Sequence, residues 1–300
     1  MDLYTFVMIW VCVCGLCMGS FYNVVILRSL SGESIVFPPS KCPKCNHKLY
    51  FWHNIPVLSY ILLKGKCYFC KEKISIQYPI IELLTMILFG LSVWRFGLNY
   101  TTIFVILWLS CMLIMVITDI KERVADCNLA IAVAVSGLLY FALFNGWHGV
   151  LHSILGLCAG VLIMELIARS GFLIAKTRAM GEADTYVAGA IGAVCGIFMV
   201  VKVLLYSLYA SMIFIIPVFL YKKYKVGDRL TCILSAIFML SIIIFYLWLQ
   251  NYWSLAFLIL IGLALAYSIM RGIKNENDRI YLPFVPALAI GLSYYIFFLM

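Results

Sequence analysis

Long apolar stretches dominate the chain, and short charged breaks separate them. A helix that crosses a bilayer needs about 20 mainly apolar residues, and these stretches approach or exceed that length. The pattern therefore predicts an all-α, polytopic membrane helix bundle of about 8–10 spans. Ten candidate spans lie at residues 3–27, 79–95, 101–118, 128–145, 150–168, 185–200, 203–220, 230–249, 252–270 and 282–300.

The composition supports a bilayer as the solvent of this protein. Hydrophobic residues make up 65% of the 300-residue chain and charged residues only 12%. So little polar surface excludes a water-soluble globule. The first apolar stretch begins at Asp2 and carries its positive charge at the far end, on Arg28. We therefore interpret it as a retained span and not as a cleaved signal peptide.

The distribution of Lys and Arg predicts the orientation, because cationic loops resist translocation. If the N-terminus lies outside, ten spans leave only Arg95 and Lys202 of the 22 basic residues on the outer side. The net charge of +9 is then a consequence of topology. No basic stripe interleaved with aromatic residues is present, so a nucleic-acid partner is not expected.

One long polar insertion interrupts the spans. It divides the chain into a first span at residues 1–27, a cytoplasmic loop domain at 28–78 and a membrane core at 79–300. We expect the core helices to pack through small residues, since these let helix backbones approach closely. The sequence shows no internal repeat. The candidate packing residues are Gly156, Gly160, Gly189 and Gly192.

Two Cys-x-x-Cys pairs lie in this loop, at Cys42 and Cys45 and at Cys67 and Cys70. Paired knuckles of this kind bring four thiolates together on one Zn²⁺. Four sulfurs close the coordination shell, so the predicted zinc is structural. The alternative is four unliganded or disulfide-bonded thiols, and a reducing cytoplasm disfavours disulfides.

Other residues of the same types have simpler interpretations. His47 and His53 are expected at the surface and not as ligands. The remaining eight cysteines suit buried small hydrophobes. They are Cys12, Cys14, Cys17, Cys111, Cys127, Cys158, Cys195 and Cys232.

Two aspartates lie at span ends that the predicted topology places on the cytoplasmic side. Asp119 ends the third span and Asp184 begins the sixth, so the two side chains are able to meet. Two adjacent carboxylates share a proton, and one then acts as base on a water while the other polarises a carbonyl. This is the chemistry of aspartic proteases.

Structural interpretations of the acidic residues stay open. Asp119 is also consistent with a helix end and Asp184 with a helix cap. Asp126 competes with Asp119 because it lies in the same loop, and Glu182 fits either a catalytic or a solvated role.

Two further glutamates lie within apolar runs, where an ionisable group is costly. For Glu165 a helix-pairing role is favoured, and Glu82 is a candidate for helix pairing or for facing a substrate.

Taken in order, these features resemble the bacterial type IV prepilin peptidases, membrane aspartyl proteases that are often also N-methyltransferases. The resemblance begins with Gly-Ser-Phe-Tyr-Asn-Val-Val-Ile-Leu-Arg at residues 19–28 and continues through the cysteine pairs. It extends through Ile-Ser-Ile-Gln-Tyr-Pro-Ile-Ile-Glu-Leu-Leu at 74–84 and Met-Gly-Glu-Ala-Asp at 180–184. It ends with Leu-Pro-Phe-Val-Pro-Ala at 282–287.

The resemblance implies that Asp119 and Asp184 cleave the short basic leader from type IV prepilins or pseudopilins. It also implies methylation of the new N-terminus from S-adenosylmethionine, with the cysteine loop and the segment around Glu82 tied to that activity. No donor-binding residues are assigned. The implied location is the bacterial inner membrane, with the active site at the cytoplasmic face.

The chain departs from the family pattern in three places. Ala183 replaces the second glycine of Gly-x-Gly-Asp, the family Pro-Asp becomes Ala125-Asp126, and about two spans more than the usual eight are predicted. A positive φ at position 183 would strain an alanine.

Two alternatives from other functional classes stay open. One is a proton- or cation-coupled transporter, which predicts inverted repeats and acidic residues deep within spans. The other is a catalytically impaired assembly subunit.

Overall fold

The computed structural model describes residues 2–37, 39–124, 126–175, 181–226, 229–247, 260, 264 and 284–300. These residues form α-helices with short 3₁₀ and π turns and contain no strand, which confirms the all-α prediction. The helices are α1 (Leu3–Ser31), α2 (Leu58–Leu62), α3 (Gln77–Phe96), α4 (Tyr100–Glu122), α5 (Cys127–Ala175), α6 (Glu182–Cys195), α7 (Ile197–Val226), α8 (Arg229–Leu247) and α9 (Val285–Tyr294).

Four of the described helices are long and apolar enough to cross a membrane: α1, α3, α4 and the part of α5 up to Arg169. Shorter apolar helices lie at Ile197–Ser211 and Val285–Leu299. The predicted ninth span falls almost wholly outside the described residues. The same holds for Pro283 of the C-terminal motif and for Ala125. It also holds for three acidic residues whose loop positions predict solvated charges, Asp228, Glu276 and Asp278.

Helix α5 reverses direction at Gly146, which has φ 60° and ψ −149°. The rings of Phe141 and His152 stack with centroids 5.7 Å apart. In a straight helix, residues at this spacing would be separated by roughly 16 Å along the axis. The chain therefore folds back on itself, as two separate predicted spans at 128–145 and 150–168 require.

The boundary between the predicted sixth and seventh spans was wrong. Helix α6 ends at Cys195, and Gly196 adopts φ 74° before α7 begins at Ile197. Residues 197–200, assigned to the sixth span from their hydropathy, belong to α7. Apolar residues flank the break on both sides, so hydropathy alone gives no signal for it.

The returning half of α5 packs against α6 through glycines, as predicted. A Cβ placed on Gly156 would overlap the carbonyl oxygen of Gly192, and one on Gly192 would overlap that of Gly156. One turn away, a Cβ on Gly160 would overlap the carbonyl of Ala188. The two backbones are therefore in direct contact, which only small residues allow.

The C-terminus of α1, the N-terminus of α3 and the C-terminus of α4 lie at one end of the bundle. The insertion joins the C-terminus of α1 to the N-terminus of α3, and a tight turn at Gly97 reverses the chain into α4. Ile26, Ile81 and Ile114 pack together with Tyr22 near this end. We call it the cysteine-loop end, and the C-terminus of α4 lies there.

Helix α9 runs from the cysteine-loop end toward the opposite end. Its Gly291 lies against Val203 and Ser207 of α7. In the π turn that follows, the carbonyl of Phe297 accepts a hydrogen bond of 3.2 Å from Nε of Arg95, at the far end of α3. The N-terminus of α9 therefore lies at the cysteine-loop end.

The prediction of buried cysteines held only in part. Of the eight cysteines outside the loop, Cys111 and Cys195 are buried, and two are half-buried. A stretch that is apolar on every face does not reveal which residues point to neighbouring helices. The four that are exposed are Cys14, Cys17, Cys127 and Cys158.

Candidate active site and cysteine cluster

The four loop cysteines converge on one point. Their Sγ atoms all lie within 4.8 Å of one another, and Sγ of Cys42 lies 3.9 Å from Sγ of Cys70. Tetrahedral Zn–S bonds of about 2.3 Å place sulfurs about 3.8 Å apart. The donor set and its spacing therefore fit one zinc ion, with no position left for a substrate.

The two halves of the cluster have the same local structure. The amide of Cys42 donates to the carbonyl of His47 at 3.0 Å, and that of Cys67 donates to the carbonyl of Glu72 at 2.8 Å. Asn46 and Lys71, each directly after the second cysteine of its pair, share a positive φ of 55° and 61°. The loop thus contains a local structural repeat, which the sequence also carries as Lys-Cys-x-x-Cys-x-x-Lys at residues 41–48 and 66–73, contrary to the prediction of no internal repeat.

In the first Cys-x-x-Cys pair of the cluster, backbone amides favour the thiolate form of Cys42. Burial acts to raise the pKa of Cys42, but hydrogen bonds from the amides of Cys45 and Lys44 and from neighbouring thiols lower it to about 7. A lowered thiol pKa favours metal binding, since the thiolate is the ligand. His47 and His53 lie outside the cluster, as predicted, and their rings pack against Phe69.

Asp119 lies in the last turn of α4 with only 7% of its surface exposed. Its Oδ2 accepts a hydrogen bond of 3.2 Å from the amide of Val285, the first residue of α9. The first amides of a helix have no partner within it, so they are free to bind a carboxylate. A helix from the C-terminal part of the chain thereby holds Asp119.

Asp184 lies in the first turn of α6 and is 8% exposed. Its Oδ2 accepts a hydrogen bond of 3.2 Å from the amide of Gly181. Because α6 runs antiparallel to the returning half of α5, Asp184 lies at the cysteine-loop end, as Asp119 does. Each carboxylate lies at the N-terminus of a helix.

The other acidic candidates have structural contacts. Oδ1 of Asp126 accepts a hydrogen bond of 2.9 Å from the amide of Asn128, so Asp126 caps the N-terminus of α5. Glu182 is exposed at the start of α6. The helix-pairing prediction for Glu165 was wrong, because its partner, Arg169 at 2.9 Å, lies one turn away on the same helix.

Glu82 links the cysteine loop to the membrane helices. Its Oε2 accepts a hydrogen bond of 2.7 Å from the amide of Val57. Val57 has φ 60°, an unfavourable conformation for a β-branched residue. Nearby, Nδ2 of Asn23 on α1 donates to the carbonyl of Tyr78 at 3.2 Å. Sequence patterns give no signal for Val57 or Val285, since both act through their backbone amides.

Ala183 lies within α6, in helical conformation. It is not among the described non-glycine residues with positive φ. Since an alanine adopts helical φ without strain, the expected backbone penalty does not arise.

Two family profiles match the chain. The bacterial peptidase A24 N-terminal domain matches residues 13–96, which include the cysteine cluster. The type IV leader peptidase family matches residues 103–217, which include Asp119 and Asp184.

Curated relatives agree with these profiles. A prepilin leader peptidase/N-methyltransferase of Neisseria gonorrhoeae is 34% identical over 209 residues, covering 62% of this chain and 73% of the relative. The chain belongs to the type IV leader peptidase family. The relative with the same name from Pseudomonas aeruginosa is 32% identical over 206 residues, 60% of this chain and 69% of the relative.

Coverage differs among the relatives. For the prepilin leader peptidase/N-methyltransferase of Myxococcus xanthus, identity is 34% over 182 residues, 60% of this chain but only 54% of the relative. The chain thus spans about half the length of that relative. No solved structure matches this chain.

Proposed function

We propose that this protein is a prepilin endopeptidase that removes the leader of type IV prepilins or pseudopilins with Asp119 and Asp184. The observation that supports it is that two buried aspartates from separate helices lie at the same end of the bundle, each accepting a hydrogen bond from an amide at a helix N-terminus. The relatives that carry the name prepilin leader peptidase/N-methyltransferase point to the same substrate class.

The proposed reaction is hydrolysis by a carboxyl pair that shares one proton. The ionised carboxylate takes a proton from a water, whose oxygen attacks the scissile carbonyl carbon, while the protonated partner donates to the carbonyl oxygen. When the C–N bond breaks, a proton passes to the leaving amine. The amides of Val285 and Gly181 hold the two carboxyl groups in place for both steps.

The predicted topology places this pair at the cytoplasmic face of the bacterial inner membrane. Asp119 lies in the last turn of a helix apolar enough to span the bilayer. A site at that depth reaches the junction between a soluble leader and a membrane-inserted helix, and it keeps water away from the bilayer centre.

The experiment is cleavage of a purified prepilin by reconstituted wild type, Asp119→Asn and Asp184→Asn. Both variants are expected to lose at least about 1,000-fold in rate, since each carboxyl is needed in the pair. Asp126→Asn is the matched control, because asparagine also caps a helix. It should cleave at the wild-type rate. Wild-type cleavage by either dyad variant would refute the proposal.

We further propose that the cysteine cluster holds a structural Zn²⁺ through Cys42, Cys45, Cys67 and Cys70. When bound, the metal supplies folding free energy to a loop too small to bury a large apolar core. It takes no part in hydrolysis, since four sulfurs fill its coordination shell.

N-methylation of the new N-terminus is the second proposed activity, and it rests on the relatives' names. Near the cysteine loop, Oδ1 of Asn23 and Nε2 of Gln77 are buried atoms without a partner. Asn23 lies where α1 and α3 are so close that a Cβ on Gly19 would be 2.6 Å from Cα of Glu82. This place does not fit a molecule the size of S-adenosylmethionine.

Methylation is tested by incubating cleaved pilin with reconstituted protein and labelled S-adenosylmethionine. Label in the N-terminal residue is the expected result. Absence of label, with cleavage intact, would restrict the function to peptidase.

The described acidic residues do not favour the transporter alternative. Glu165 pairs with an exposed Arg169 on its own helix, and Glu82 bonds a loop amide.

A further inference from the structure

We propose that the loop segment from Phe51 to Leu62, here called the interfacial segment, lies in the lipid headgroup region at the cysteine-loop end. Its partner is the surface of a bilayer that contains anionic lipids. This contact with lipid would hold the cysteine loop at the membrane and does not depend on peptidase or methyltransferase activity.

The hydrogen bond between Glu82 and Val57 sets the depth of this segment. Glu82 lies in the second turn of α3, a helix long and apolar enough to span the membrane. Side chains on a helix lean toward its N-terminus, so the amide of Val57 lies level with the first turns of α3. The 2.7 Å bond therefore holds the middle of the loop at the membrane boundary.

The side chains on both sides of Val57 are apolar and exposed. Phe51 is 77% exposed in the 3₁₀ turn, and on α2 Ile61 and Leu62 are 63% and 72% exposed. Trp52 stacks on Tyr50 with ring centroids 5.0 Å apart and remains half exposed. Aromatic rings with a polar edge favour the membrane interface, where one side is apolar and the other wet.

The charge of the loop complements an anionic membrane surface. Residues 39–78 contain seven lysines and a single glutamate. Lys64 and Lys66 follow α2 directly, so they are placed to reach lipid phosphates while Ile61 and Leu62 contact acyl chains. Lysines near an anionic leaflet are attracted to its negative surface potential.

The test measures the depth of Trp52 in full-length protein reconstituted without prepilin. The vesicles contain lipids brominated near the headgroup, with or without an anionic phosphatidylglycerol fraction. Since the chain has 7 tryptophans, the signal of Trp52 is the difference between the protein and Trp52→Phe. We expect this difference signal to be quenched by bromolipid, more strongly with phosphatidylglycerol, and to be protected from aqueous iodide.

Variants at Glu82 provide the matched control. Glu82→Ala removes the acceptor of the Val57 amide, whereas Glu82→Gln keeps an oxygen that accepts it. We expect Glu82→Ala to reduce bromolipid quenching of Trp52 at least twofold and Glu82→Gln to leave it near the wild-type value. The zinc content of each variant confirms that the loop is folded.

Three results would overturn the proposal. The first is a Trp52 signal that iodide quenches fully and bromolipid does not. The second is equal quenching in Glu82→Ala and wild type. The third is protection of Trp52 that arises only when prepilin is added, since the segment would then bind substrate and not lipid.

Discussion

The backbone amide of Val285 donates a hydrogen bond to Oδ2 of Asp119 at 3.2 Å, across 166 positions of the chain. This contact places the N-terminus of α9 next to the proposed active site. The matched family profile ends at residue 217, so the contribution of α9 comes from outside it. The C-terminal helix is thus a structural part of the candidate site.

Removing this donor should slow cleavage. Val285→Pro lacks the amide hydrogen, and proline is accepted at the first position of a helix. A hydrogen bond to a charged group contributes about 1.5–3 kcal/mol, so we expect kcat/KM to fall by about 10- to 150-fold. Prepilin cleavage by reconstituted protein measures the effect.

Val285→Ala is the control, because it shortens the side chain and keeps the amide. Thermal unfolding is measured in parallel, since a proline at 285 also restricts the backbone of Phe284. If Val285→Pro and Val285→Ala lose the same cleavage activity at equal stability, the amide of Val285 is not required for catalysis.

The contact between Gly156 and Gly192 should be sensitive to a single methyl group. In Gly192→Ala the added carbon would overlap the carbonyl oxygen of Gly156, a backbone atom that has no room to move. We expect a loss of about 1–3 kcal/mol in the free energy of unfolding. Thermal unfolding in detergent and residual cleavage report it.

Gly90→Ala is a suitable comparison. Its added carbon would lie 3.3 Å from Sγ of Cys12, a side-chain atom that can shift. This variant should unfold near the wild-type temperature, and an equal drop in both variants would argue against the α5–α6 contact as the cause.

The cysteine cluster predicts one zinc ion per chain. Cys67→Ser should lose most of the metal and make the loop lysines accessible to trypsin, because zinc supplies much of the folding free energy of the loop. Metal analysis and limited proteolysis measure both effects, and a chelator should reproduce them in wild type. Cys14→Ser, an exposed cysteine outside the cluster, should keep the zinc. Full zinc content in Cys67→Ser would exclude the proposed ligand set.

Ala183→Gly tests whether the alanine impairs the enzyme. Because position 183 is helical, glycine should lower stability by up to about 1 kcal/mol and give no gain in cleavage. Kinetics with saturating prepilin measure this. A large gain in rate would support the impaired-subunit alternative through closer approach of the substrate backbone.

The sequence predicted what hydropathy and residue type determine. Apolar stretches of span length gave the helical class, and the cysteine spacing gave the ligand cluster. It failed at Gly196, where apolar residues on both sides hide a break. It also gave no signal for the bonds from Val57 and Val285, because a backbone amide is present at nearly every position. For Glu165, an acidic residue within an apolar run did not reveal that its partner was on the same helix.

The most direct test compares cleavage rates of Asp119→Asn, Asp184→Asn and the double variant with wild type. Because the two carboxyls are proposed to act as one unit, each single substitution should cost as much as both together. The predicted result is three rates that agree within a few-fold, all far below wild type. Separate losses that multiply in the double variant, or a single variant that retains activity, would contradict the pairing of Asp119 with Asp184.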